Sequence, residues 1–178
     1  METERLFFRR WTEADAEDLY EFAKDPDVGP RCGWRQHGDV EESRRIIKDV
    51  LSAPEAYAIC LKPSDRAIGT VELRLNNRSD LTDGDDECEL GYWIGKPYWG
   101  QGLMPEAAKR MIEHAFIDLG MNKVWCAYYD GNEQSKKVQQ KCGFNFVRTT
   151  QDVYVAAFDE YRVGHVNCLT KEEWQKIR

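Results

Sequence analysis

Tyr98-Trp99-Gly100-Gln101-Gly102-Leu103-Met104-Pro105-Glu106-Ala107 joins an apolar, strand-like run to a strongly periodic helix, and two glycines stand at the junction. Gly100 and Gly102 carry no Cβ, so backbone N–H groups there can approach an anion closely. The positive end of the macrodipole of the following helix adds to the attraction. Pro105 suits a first helical turn, where its missing N–H costs little. The junction therefore reads as a phosphate cradle. A Walker-type loop would need Gly-Lys-Ser/Thr, which is absent, and a dinucleotide fingerprint would need a third glycine and a place near the start of a βαβ unit.

Outward from the junction, Cys88 to Ile94 predicts a strand that feeds into the glycines. Downstream, Met104, Ala107, Ala108, Met111, Ile112, Ala115, Phe116 and Leu119 form one helical stripe, with Gly120 as its C-terminal cap. Lys123 to Tyr129 predicts a strand whose parallel partner, across a right-handed crossover, is Cys88 to Ile94. Asn132 reads as the N-cap of a short helix ending at Gly143, followed by strands near Phe144 to Thr149 and Tyr161 to Leu169 and a helix over Lys171 to Lys176. Toward the N-terminus, Arg5 to Arg10 predicts a strand. Thr12-Glu13-Ala14-Asp15 resembles a capping box for a helix carrying Ala16, Leu19, Tyr20 and Ala23 inward. A Gly- and Pro-rich loop over 27–38 holds Trp34, and a second helix follows with Val40, Ile46, Ile47, Val50 and Leu51 at helical spacing. Tyr57 to Leu61 and Ile68 to Leu75 predict antiparallel strands joined at Pro63-Ser64-Asp65, and Asn76 to Glu87 a polar, acidic loop.

A chain of 178 residues can bury one real core, which predicts a single α/β domain over 1–178. No stretch has the roughly 20 apolar residues of a membrane span, and Met1-Glu2-Thr3-Glu4-Arg5 lacks the layout of a signal peptide, so a cytoplasmic protein with no membrane partner is expected. The six cysteines are scattered, with no C-x-x-C pair and no His at metal-ligand spacing, which predicts reduced, mostly buried thiols and no metal site. A net charge of -7 argues against a general nucleic-acid surface and is compatible with a cationic substrate.

Glu89-Leu90-Gly91-Tyr92-Trp93-Ile94, Tyr98-Trp99-Gly100-Gln101-Gly102, Asn132-x-x-Ser135 and Lys141-Cys142-Gly143-Phe144, in this order, are similar to the GNAT superfamily of acetyl-CoA-dependent N-acetyltransferases. Thr3-Glu4-Arg5-Leu6 and the Tyr98 to Gly102 run resemble its branch of ribosomal-protein N-terminal (Rim-type) acetyltransferases. The resemblance implies a GNAT-type domain: a central mixed, mostly antiparallel sheet with a splayed parallel strand pair and helices on both faces. It implies that pantetheine enters between the splayed strands, with backbone groups around Trp93 and Ile94 on the acetyl and pantetheine amides. Trp99, Gly100, Gln101, Gly102, Leu103 and Met104 would hold the pyrophosphate, and Asn132 and Ser135 would touch acetyl-CoA from the short helix, with CoA released as product.

The sequence departs from the broad pattern at three positions, the first being Trp99, where Arg or Gln is preferred and Trp is usual for the Rim-like branch. Met104 stands where Gly or Ala is usual, and Gln139 occupies the place of a Tyr general acid, for which the Rim-like branch suggests Ser135. In the expected reaction a neutral amine attacks the acetyl thioester directly. Glu89 is the expected base, with Glu87 on the same face by alternation as reserve and substrate-side carboxylate. Trp34 would line the acceptor channel, although a loop aromatic docked on the core fits it equally well. His37 and His165 have the chemistry of bases, but such a residue is more often structural. The expected acceptor is a protein or peptide N-terminal α-amine. The alternatives are a small amine such as a polyamine or aminoglycoside, to which the acidic Asp80 to Glu89 segment could appeal, or a catalytically weak acetyl-CoA sensor. An exposed edge strand could support a homodimer.

Overall fold

Seven strands form one sheet in the order β1-β2-β3-β4-β5-β7-β6 in the computed structural model, which describes residues 1–178 apart from the Asn77 side chain. The strands are β1 (Leu6–Arg9), β2 (Ala56–Leu61), β3 (Ala67–Leu75), β4 (Glu87–Ile94), β5 (Lys123–Tyr129), β6 (Asn145–Val155) and β7 (Glu160–Thr170). The α-helices are α1 (Ala16–Ala23), α2 (Val40–Asp49), α3 (Leu103–Ile117), α4 (Glu133–Lys141) and α5 (Lys171–Ile177). Among the described residues β4 and β5 are the one parallel pair, as the crossover through α3 requires, and the sheet is otherwise antiparallel. No helix among the described residues is long and apolar enough to cross a membrane.

The residues fall into two compact units, Met1–Glu72 with Tyr92–Ala107, and Leu73–Gly91 with Ala108–Arg178. In the first, Trp11, Leu19, Ile47, Leu51, Ala58 and Cys60 share a buried cluster built by α1 and α2 against β2. The Thr12/Asp15 capping box is present, and Asp15 also takes both terminal nitrogens of Arg9 at 2.7 and 2.8 Å. Two side chains differ from their helical-pattern expectation. Phe22 is buried in α1, where Tyr20 is only half-buried, and Val50 is 46% exposed because α2 ends at Asp49 and Val50 is its C-cap.

In the second unit, Val124 and Cys126 of β5 and Leu169 of β7 are buried, as are Met111, Ile112, Ala115 and Phe116 on the α3 stripe. Gly120 adopts φ +71, the left-handed conformation its cap position demands. β6 and β7 are longer than their apolar cores suggest, β6 reaching Val155 through the polar run Thr149-Thr150-Gln151-Asp152. A Thr170/Glu173 capping box, absent from the sequence reading, starts α5. None of the six cysteines is in a disulfide, and all but Cys32 are buried.

Candidate active site

In the first unit the glycine junction has the conformation an anion cradle needs. Gly100 and Gly102 both lie at left-handed φ, +75 and +76, which L side chains rarely adopt. A Cβ on Gly100 would meet nothing within 4 Å, so the backbone there borders open space. The first α3 hydrogen bond runs from Glu106 N–H to Gly102 O, at 3.3 Å. The N–H groups of Leu103 and Met104 precede it and have no intrahelical acceptor by construction, and Pro105 contributes none. The Met104 side chain is buried, leaving its backbone as the part that faces the junction. These residues fit a pyrophosphate: donors without helical acceptors, two side-chain-free positions and the positive end of a 15-residue helix.

Trp99 closes the turn before the cradle. Its indole N–H donates to Ile94 O at 2.8 Å, and the Arg31 guanidinium stands over its ring at 5.7 Å. The Ile94 carbonyl is thus engaged by the protein itself. Trp93 O lies against β3, since a Cβ on Gly69 would come within 2.4 Å of it. Trp34 meets Trp93 edge to face at 5.8 Å, and the His37 ring is tilted against Trp34 at 5.4 Å. Trp34 also packs on Gly29, where a Cβ would fall 2.5 Å from the indole. The loop aromatic is therefore docked on the core and borders the strand residue expected at the acetyl group. Buried His37 bonds Ser43 Oγ at 2.7 Å, and burial lowers its pKa, which keeps it neutral and structural.

In the second unit β4 and β5 pair over three positions, Glu87↔Lys123 to Glu89↔Trp125, whereas β5 pairs with β7 along all seven of its residues. At the first residue past the paired segment, Leu90 O accepts the Cys126 thiol at 3.2 Å. Glu89 is the last paired residue of β4. It is 8% exposed, with Arg74 Nη1 donating to Oε1 at 3.0 Å and Ser79 Oγ and Asp80 N–H donating to Oε2 at 3.1 and 3.0 Å. Burial raises its pKa above the ordinary carboxylate value, and Arg74 with these hydrogen bonds only partly offsets the shift. Glu87 goes the other way. Burial alone would raise its pKa, but Lys123 at 2.8 Å, Thr82 and the Trp125 indole at 2.6 Å hold it below the usual value, which makes it a poorer base than its neighbour.

Asn132 caps α4 through its Oδ1, which accepts the Ser135 N–H at 3.2 Å. Gln139, at the place of the family's Tyr acid, is 1% exposed and forms a buried amide node. Its Nε2 donates to Ala127 O and to Ser135 Oγ, both at 3.2 Å, and its Oε1 accepts Asn167 Nδ2 at 2.6 Å. The Ser135 oxygen thus takes an amide hydrogen on one lone pair, which ties the hydroxyl to the Gln139 node. Asn167 and Arg74 reach these groups without any local sequence signal. Gln139 carried a readable signal, being a polar residue on the inward side of a short helix. His165 bonds Asp130 at 2.9 Å and Thr149 at 3.1 Å and lies tilted against the Tyr128 ring at 5.0 Å, at the β5–β7–β6 rungs rather than beside Glu89.

The acetyltransferase (GNAT) domain model matches residues 5–145. The chain is 29% identical to "Uncharacterized N-acetyltransferase p20" of Bacillus licheniformis over 147 residues, 80% of either chain. It is 33% identical over 97 residues, 54% of this chain and 52% of the other, to YdaF of Bacillus subtilis (strain 168), whose name proposes a ribosomal N-acetyltransferase. A GNAT-family acetyltransferase structure from Bacillus anthracis superposes with a TM-score of 0.84 at 18% identity, over 97% of this chain and 98% of that one. With strand order and family model in agreement, the chain belongs to the GNAT family and is an N-acetyltransferase.

Proposed function

We propose that this enzyme transfers the acetyl group of acetyl-CoA, the donor generally used in its family, to the α-amine of a protein or peptide N-terminus. The observation that carries the reading is Glu89, a buried carboxylate with a raised pKa at the end of the parallel pairing. With reference pKa values of ~7.8 for an α-amine and ~10.4 for lysine, presenting a neutral amine at pH 7 costs about 1 kcal/mol for the first and about 4.6 kcal/mol for the second. A carboxylate of raised pKa, directly or through water, suits the smaller task. Acetyl-CoA supplies an activated thioester whose thiol, with a pKa of ~8.5, is a fair leaving group. As the amine nitrogen forms the new C–N bond and the C–S bond breaks, Glu89 takes the amine proton, and Ser135 hydrogen-bonds and protonates the departing sulfur, its own proton being restored from solvent. Gln139 fixes the Ser135 oxygen, and the cradle N–H groups hold the pyrophosphate.

The name of YdaF supports a protein acceptor. In the acidic segment Glu87 is paired with Lys123 and Glu89 with Arg74, whereas Asp86 meets only the neutral Asn122 amide at 2.7 Å, so the small-amine alternative belongs in the same experiment. The deciding experiment is mass spectrometry of a mixed panel after incubation with acetyl-CoA: peptides beginning with Ala or Ser, spermidine and an aminoglycoside. Acetylated peptide α-amine is expected. Acetyl on spermidine or the aminoglycoside moves the assignment to a small-amine enzyme, and CoA binding without any transfer favours a sensor.

Ser135→Ala is expected to lower kcat by about 100-fold, the lower end for general acid catalysis because the leaving thiol is already fair. The dissociation constant for CoA should stay within about threefold, since one neutral hydrogen bond is at stake. A kcat near wild type would remove Ser135 from the acid role.

A further inference from the structure

Glu106 gathers the N-terminal segment onto the cradle. Its Oε1 accepts Thr3 Oγ1 at 2.5 Å and Arg5 N–H at 3.0 Å, and its Oε2 takes Arg5 Nε at 2.7 Å and Nη2 at 2.6 Å. Arg5 Nη1 then continues to the Gln101 carbonyl, at 2.9 Å. Thr3 is itself fixed to the start of β1, its N–H donating to Leu6 O at 2.8 Å and its Oγ1 accepting Leu6 N–H at 3.0 Å. Side chains 44% and 20% exposed form an ion pair of modest worth to stability, so what this network holds matters more than what it adds.

We propose that Arg5, locked by Glu106 and Thr3, is a positioning residue for the phosphate cradle, holding the Gln101–Gly102 peptide so that its N–H faces the pyrophosphate of CoA. The inference rests on the cofactor reading above. In a trans peptide the C=O and the following N–H point in opposite directions. Arg5 fixes Gln101 O on its own side and so aims Gly102 N–H away from itself, a setting that Gly102 accommodates at φ +76. The pair has a second effect. Glu106 sits in the first turn of α3, where an unanswered carboxylate would repel the anion the helix end attracts, and the Arg5 guanidinium cancels that charge. This gives the Thr3-x-Arg5 start a function at a site about 100 residues away in sequence.

The test measures dissociation constants for CoA and for S-acetylpantetheine, which lacks the pyrophosphate, by calorimetry on the full chain, with thermal unfolding of each variant alongside. Arg5→Met is expected to weaken CoA by at least about tenfold, the worth of a charge-assisted hydrogen bond, and to leave S-acetylpantetheine within about twofold. The double variant Arg5→Met/Glu106→Gln is expected to regain part of the CoA affinity, because the exposed carboxylate is gone; a purely structural pair would not show this rescue. Unchanged CoA affinity in Arg5→Met, or equal losses for both ligands, overturns the proposal while wild-type CoA binding leaves the cofactor reading standing. Wild-type protein that binds no CoA removes both. Arg5→Lys, which keeps a cation beside Glu106 but not the fork that also reaches Gln101 O, covers the case in which Arg5→Met fails to fold: CoA affinity lost with S-acetylpantetheine binding retained supports the proposal, and unchanged CoA affinity or equal losses for both ligands overturns it.

Discussion

Gly102→Val is expected to bind CoA at least about 100-fold more weakly than wild type while remaining folded, because two cradle hydrogen bonds to an anion, each worth about 1.5–3 kcal/mol, depend on its backbone conformation. Space is not the obstacle. A Cβ at Gly102 would find its nearest neighbour, Arg5 Nη2, at 3.6 Å. The obstacle is φ +76, which a β-branched residue adopts only at a cost of about 1–3 kcal/mol. The loop can escape that strain by rotating the peptides on either side of residue 102, and those peptides carry the donors. Gly120 provides a matched control, since it sits at φ +71 with open space around its Cβ position, at the opposite end of α3. Gly120→Val imposes similar strain and should lower the melting temperature without changing CoA affinity. Calorimetry with CoA on both variants separates the two, and normal affinity in Gly102→Val would end the cradle assignment.

The parts of the site readable from sequence were those built from neighbouring residues. The glycine junction, the α3 stripe with its Gly120 cap, and the Asn132 cap of α4 are all local patterns, and each stands where the spacing placed it. Thr12 and Asp15 are equally local. The contacts that organise the site are not. Arg5 reaches Glu106 and Gln101, Gln139 reaches Asn167, and Trp34 reaches Trp93, and nothing in the spacing of those pairs announces the contact. Edge strand β6 was underestimated for a related reason. With one neighbour and an exposed surface it carries Thr, Gln and Asp freely, so its length is set by the ladder to β7 rather than by apolar alternation. Glu87 and Glu89 look equivalent by strand alternation, yet their surroundings separate them. Lys123 and Trp125 on β5 hold one down, while burial lifts the other.

That separation makes Glu89→Gln the most informative single substitution, because stability and activity should respond in opposite senses. A carboxyl whose folded pKa exceeds its unfolded value contributes stability below the unfolded pKa and loses it as pH rises through the folded one. Glu89 is such a group, since burial outweighs Arg74, Asp80 N–H and Ser79, so its ionised form at neutral pH costs the fold free energy. Glutamine keeps the shape and one acceptor without that cost, and Arg74, with 36% of its side chain exposed, can be solvated when its partner becomes neutral. The melting temperature of Glu89→Gln at pH 7 is therefore expected to equal or exceed that of wild type. Acetyl transfer should behave differently. With an α-amine pKa of ~7.8, the acceptor is mostly protonated at pH 6 and mostly neutral at pH 9, so the base matters most at the acid end. Transfer by the variant should fall about 100-fold at pH 6 and recover toward wild type by about pH 9. A substantially lower melting temperature with an unchanged pH–rate profile would make Glu89 a structural anchor for Arg74 and the 79–80 backbone instead. A stable variant with the predicted profile would mean that the fold bears an ionised, buried carboxylate because the amine requires a base there.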